Sequence, residues 1–198
     1  MSEAETALAE RTETRAQRLR RATTTFHETL DRRMSGADLF SSLERYALFL
    51  DIQRRFHAEI DALYRDPALA ALVPDLAGRR RLDLIDQDIA DIKIAVPRQE
   101  PDAVDPADQA AALGWLYVSE GSNLGAAFLL KEAVKLGLSE TFGARHLAPD
   151  PAGRGLHWRQ FVAALDAADL SPEQDERAET AASAAFARVR SHAEAVLA

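Results

Sequence analysis

His27 stands in the segment TTTFHETLDRRM with Asp31 four residues after it. On a helix that spacing stacks an imidazole and a carboxylate on one face. The carboxylate can accept the Nδ1–H, fix the tautomer and leave Nε2 free to bind, as in metal-bound histidines. The plainer alternative is a partly buried histidine paired with its neighbour. Thr23, Leu30 and Met34 share its face, and Arg20 lies two turns back. A second stretch, LGWLYVSEGSNLGAAFLLK at 113–131, raises a different question. Its apolar residues recur at helical spacing, yet Gly121 and Gly125 lie four apart on one face. Each glycine costs a helix about 1 kcal/mol relative to alanine. Two readings explain the bare strip. Another helix packs closely over it, or something flat and wide lies there, with a kinked helix aiming freed backbone groups at it. Ser122 and Asn123 bring polar groups to the same place. Tyr117, one turn earlier, either touches that ligand or packs in the core.

Other chemistry finds less support. No HExxH motif and no cysteine occurs, so a zinc site has little support and iron–sulfur and thiolate chemistry have no ligands. No glutamate stands three residues before a histidine, which removes the Glu-x-x-His pairs of di-iron bundles. His57 and His192 read as solvated or boundary residues, while His146 and His157 flank a loop rich in proline and glycine. The run DLIDQDIADI carries Asp83, Asp86, Asp88 and Asp91 and reads as a solvated helix face.

The elements that position these residues are helical. Hydrophobic residues make up 47% and charged residues 28% of 198, and no segment alternates with the period of a strand. Helices are expected at about 14–33, 38–65, 78–93, 107–137, 156–168 and 172–197, with a short piece between Pro67 and Pro74. Ser171 and Pro172 are a cap and a first helical residue. AVPRQEPDAVDP and 138–155 read as loops, and residues 1–13 as frayed or a short first helix. One all-α domain over 1–198 follows. A net charge of −8 argues against a nucleic-acid partner. The polar N-terminus and the lack of a long apolar run point to a cytoplasmic protein without a membrane segment.

Four segments, RLRRATTTFHETLD, GWLYVSEGSNLGAAFLLK, HWRQFVAAL and AASAAFARV, together resemble the bacterial haem oxygenases found with bacteriophytochromes and iron acquisition. The resemblance implies a single-domain, multi-helical haem oxygenase-like fold, with haem sandwiched between a proximal helix and a kinked distal helix. His27 falls at the iron-ligand position, with Arg20 and Asp31 at the family's basic and acidic neighbours. Gly121, Ser122 and Gly125 fall on the distal helix, with Tyr117 and Asn123 beside them. Arg20 and Arg159, and more weakly Lys131 and Lys135, face the propionates; Phe186 lines the pocket. Mammalian-type members carry an aspartate after the first distal glycine; here that position is Ser122. The implied reaction cleaves haem, both substrate and cofactor, with O2 to biliverdin, carbon monoxide and ferrous iron. An imidazole ligand pushes O–O heterolysis less than a thiolate does, so a bound hydroperoxide survives to attack a meso carbon. Electrons come from an external reductase of the ferredoxin or flavodoxin type, since no GxGxxG motif is present. A bacteriophytochrome is a candidate acceptor of the biliverdin. The alternative is a non-catalytic haem or bilin carrier on the same fold. A thiaminase-like enzyme would want a catalytic cysteine, which the chain lacks.

Overall fold

The structure, a computed structural model, describes residues 13–198. The expected frayed or helical piece at 1–13 therefore lies outside the described residues, Glu13 excepted. Seven α-helices form among those residues, and each boundary has a local cause. Thr14 opens α1 (Arg15–Ser35) by accepting from Gln17 N, while the Gln17 side chain returns to the Thr14 N–H. That reciprocal cap satisfies two groups the first turn leaves unpaired. Ser42 caps α2 (Leu43–Glu59). The expected start at 38 fails because Asp38 takes a left-handed φ of 52°, which breaks the helical path. Leu39 is still buried, but from a turn.

Asp66 caps α3 (Pro67–Leu72), where proline at the first position needs no N–H partner. The helix α4 (Leu82–Ile92) stops at Lys93, which is left-handed with φ 56°. Asp108 caps α5 (Gln109–Lys135), one continuous helix through Gly121 and Gly125. Gly137, with φ 81°, turns the chain after it. The helix α6 (Arg154–Ala167) follows an irregular segment, as expected. Ser171 and Gln174 form the capping box of α7 (Pro172–Val196), with Pro172 inside its first turn.

The helix α7 is the post against which α1 and α5 pack. Ala178, Ala181, Ala182 and Ala185 line its inner side and are buried. A Cβ built at Gly114 of α5 would come within 2.2 Å of the Ala178 carbonyl oxygen, so these two helices meet backbone to backbone. On its other side α7 holds α1 by ion pairs, Arg15 to Asp175 at 2.5 Å and Arg18 to Glu179 at 2.6 Å. Leu19, Leu113, Leu116, Phe161 and Leu165 fill the core between these helices. Tyr46, Phe49, Leu50, Ile85 and Leu147 build a second cluster around α2 and α4. Both α1 and α5 leave the core partway along. Residues 24–28 of α1 are all exposed, and beyond Glu120 only Ala126 and Ala133 of α5 are buried. Two helices thus share a post and then emerge from the core with their outer halves exposed.

Candidate functional site

His27 projects from the bare half of α1, its side chain 61% exposed. Nδ1 lies 3.2 Å from Asp31 Oδ2, so the carboxylate occupies one ring nitrogen and leaves Nε2 for a ligand. Phe186 of α7 meets the imidazole edge to face, with centroids 5.8 Å apart, and fixes the ring plane. The paired, partly buried histidine of the plainer reading is therefore half right: the pair exists, but the ring is exposed.

Successive residues of α5 turn by about 100°, which gathers Tyr117, Gly121, Leu124, Gly125 and Phe128 on one side. Leu124 and Phe128 are 44% and 66% exposed, an unusual outlay of apolar surface. A Cβ at Gly125 would meet nothing within 4 Å, so no neighbouring helix explains this glycine. A Cβ at Gly121 would stand 3.7 Å from the Trp158 ring, an ordinary contact. The close-packing reading thus fails at Gly125; the glycine that serves helix packing is Gly114. Tyr117 is half-buried and its ring lies 5.6 Å from that of Trp158. Burial raises the Tyr117 hydroxyl above its usual range, and the nearby Arg20 charge opposes that. Arg20 therefore stands near Tyr117, an exposed cation on α1.

The opposite flank of α5 is polar and closed. Glu120 precedes Gly121 and is 1% exposed. Its carboxylate accepts from Arg79 Nη1 at 2.8 Å and from Tyr64 OH at 3.0 Å. Arg79 also donates to the Pro74 and His157 carbonyls, tying α5 to α6 beside Trp158. Two corrections follow. His57 is not solvated: it is buried, and burial, then His146 and Arg81, pushes its pKa down to about 3. Nor is the acidic run a solvated face throughout. Asp88 is fully buried, accepts from the backbone N–H groups of Arg145 and His146, and lies 2.7 Å from His146 Nδ1. Arg145 joins both Asp88 and Asp91. His57, His146, Gln53, Arg81, Ser122 and Asn123, with apolar Phe49, Ala126, Leu129 and Leu147, line a cavity of about 40 Å³ beside the glycines, room for ordered water.

The expected site residues divide accordingly. His27, Asp31 and Phe186 come together; Arg20 lies near Tyr117, and Tyr117 and Gly121 both stand beside Trp158, which the sequence reading did not single out. Ser122 donates to the Ser119 carbonyl at 2.7 Å and lines that cavity with Asn123, whose carbonyl accepts from Arg154. Lys131 and Arg159 are exposed, Arg159 with Nη1 3.4 Å from where a Gly155 Cβ would be. The propionate roles expected of Lys131 and Arg159 rest on the resemblance alone. The reading missed Glu120, Asp88, His57 and His146. Signals existed for two. Glu120 is the one charge in the apolar stretch 113–130, and Asp88 sits at i+3 from Ile85 on the buried stripe of α4.

What this arrangement can do is hold a large, flat, apolar group with a metal at its centre. One imidazole offers a free nitrogen, and the other emerging helix carries bare backbone and exposed apolar side chains. Among the described residues no cluster of three or more His, Cys, Asp or Glu could hold a metal ion alone. No helix among them is long and apolar enough to cross a membrane.

Comparison with known proteins agrees. The haem oxygenase family model matches residues 13–194. The chain is 45% identical to the haem oxygenase PigA of Pseudomonas aeruginosa over 176 residues, 88% of each chain. Its fold superposes on the crystal structure of the NO- and CO-bound haem oxygenase from Neisseria meningitidis with a TM-score of 0.85. That match has 40% identity and covers 93% of this chain and 92% of that one. The chain belongs to the haem oxygenase family, an all-α family of enzymes, and its function is that of a haem-degrading oxygenase.

Proposed function

We propose that haem lies in the gap between α1 and α5 with His27 Nε2 as its axial iron ligand. Residues 1–198 act as one catalytic domain in this reading. The observation that carries it is the pairing of an exposed, Asp31-oriented imidazole with a glycine strip that has open space at Gly125 and only the Trp158 ring near Gly121. Haem, when bound, supplies both the iron that activates O2 and the macrocycle that is cut.

The chain's own residues do the rest. Asp31 holds the imidazole tautomer, and Phe186 holds its plane. Gly121 and Gly125 leave room for a small molecule and let backbone approach it closely, which a side chain would prevent. Leu124, Phe128 and Trp158 exclude bulk water, which strengthens electrostatic steering inside the gap. Ser122 and Asn123 bring ordered water from the cavity they line to the same place. No side chain on the glycine strip is itself an acid or base, so positioning and water carry the protons. Arg20 takes a propionate, with Arg159 and Lys131 as outer cations. Electrons arrive from a separate reductase of the ferredoxin or flavodoxin type in the cytoplasm. Biliverdin, carbon monoxide and ferrous iron leave, and a bacteriophytochrome is a candidate acceptor of the pigment.

The test is a haem titration of the wild type and His27→Ala, then ascorbate in air. The expected result is a histidine-ligated Soret band that decays to biliverdin absorbance in the wild type and neither feature in the variant. A stable, undegraded wild-type complex would make the chain a carrier. Equal ligation in His27→Ala would remove His27 from the iron.

A further inference from the structure

The stretch 121–125 of α5 has little to hold it in place. A Cβ at Gly125 would touch nothing within 4 Å, and only the Trp158 ring stands near Gly121. Ser122 spends its hydroxyl on the Ser119 carbonyl of the same helix. Among the described residues, one side chain from another element hydrogen-bonds this stretch: Arg154 Nη1 donates to the Asn123 carbonyl at 3.1 Å. Asn123 is two residues from each glycine, about 200° round the helix, so the grip does not come from the bare side.

The carbonyl it holds matters. A helical carbonyl accepts from the amide four residues on, here that of Ala127, and keeps a second lone pair. An outside donor that uses this lone pair draws the carbonyl outward, and helices bend where that happens. With no side chain at either glycine to resist, such a pull decides the local path of the backbone.

Arg154 is itself anchored. Its Nη2 donates to the Leu147 carbonyl. The two residues before Leu147 are held by the fully buried Asp88 of α4, which accepts from the N–H groups of Arg145 and His146 at 2.9 and 3.0 Å. Gly153, just before Arg154, takes φ 90°, and its N–H closes a turn onto the Asp150 carbonyl at 2.8 Å. Trp158, one turn further along α6, brings its ring to Gly121. The helix α6 thus meets α5 at two points, a ring beside the first glycine and a cation between the two.

We propose that Arg154 is a positioning residue: by holding the Asn123 carbonyl it sets how closely the bare backbone at 121–125 approaches a small ligand on the haem iron. This role rests on the haem oxygenase reading above. The glycines provide the room, and Arg154 fixes how much of it there is. It acts through α5, from outside the strip.

The test compares the wild type with Arg154→Met, Arg154→Lys and Gly153→Ala. Amide hydrogen exchange of the ligand-free proteins reads how firmly 121–128 is held, and in Arg154→Met it should quicken at least about tenfold there. The C–O stretching band of the ferrous carbon monoxide complex reads how the backbone crowds the ligand, without turnover. In Arg154→Met that band should shift or split. Ascorbate-driven turnover should fall at least about tenfold while haem affinity stays within about threefold, since a misplacement of about 1 Å can cost on the order of a hundredfold in rate. Arg154→Lys, which can reach one carbonyl but not both, should restore part of each signal. Gly153→Ala, strained at its positive φ, should move exchange and band the same way by less. Wild-type exchange and an unchanged C–O band in Arg154→Met would overturn the proposal. So would lost turnover with a wild-type band, which would make Arg154 merely structural. If Arg154→Met does not fold, Arg154→Lys and Gly153→Ala decide on the same terms. A wild type that binds no haem would instead sink the underlying reading, while the exchange comparison would still report on the tether.

Discussion

Two sides of the same helix follow opposite rules. Along one side of α5, Gly121, Leu124, Gly125 and Phe128 leave apolar surface and bare backbone uncovered. Along the other, Glu120 and its partners Arg79 and Tyr64 are buried and fully paired. The open side is unfinished without a ligand, and so it is free to receive one. The closed side spends its polar groups on holding α5 at a fixed height above α6. A site that must grip a large planar molecule and still steer a small one needs both: a loose wall for entry and a rigid one for aim.

The sharpest way to break this contrast is to open the closed side. Arg79→Met leaves the Glu120 carboxylate buried and unpaired, and should destabilise the protein by about 3–5 kcal/mol in urea unfolding. A loss under about 1 kcal/mol would mean that the pair is solvated. Next in size is the glycine contrast. Gly114→Ala forces its methyl into the Ala178 carbonyl, and overpacking of this kind costs about 1–3 kcal/mol. Gly125→Ala meets open space, so the ligand-free protein should gain about 0.5–1 kcal/mol from the better helix former. Thermal unfolding of the two variants should therefore shift in opposite directions.

Acid also discriminates the two sides. His57 has its pKa lowered to about 3 in the fold, against about 6.5 unfolded. Its neutral form is favoured by folding, so this stability is complete above pH 6.5 and declines as pH falls toward 3. The slope contributed approaches about 1.4 kcal/mol per pH unit once the unfolded chain is protonated. Urea unfolding at a series of pH values should show it, and His57→Gln should flatten it.

The open side was readable in the sequence because it rests on local spacing. His27 with Asp31 and Gly121 with Gly125 are each one turn apart, and a single helix fixes their relation. The cap at Ser171 and the stop at Gly137 are local in the same sense. The closed side was not readable because its partners come from distant segments. Glu120 meets Tyr64 and Arg79, and Asp88 meets the 145–146 backbone. Periodicity tells which residues share a face, not which other face will cover it. An aspartate run therefore looked solvated although one member anchors a loop. The early start expected for α2 failed for a related reason: Leu39 carries the apolar pattern, but the left-handed backbone at Asp38 puts it in a turn.

The most direct measurement is a haem titration of Gly125→Leu beside the wild type, with urea unfolding of both ligand-free proteins. If the bare strip exists to receive haem, the variant should fold at least as stably and bind haem at least about tenfold more weakly, a loss of about 1.4 kcal/mol. Its spectrum should also show a disturbed iron environment. Wild-type affinity and an unchanged spectrum in Gly125→Leu would contradict the placement of haem against this face of α5.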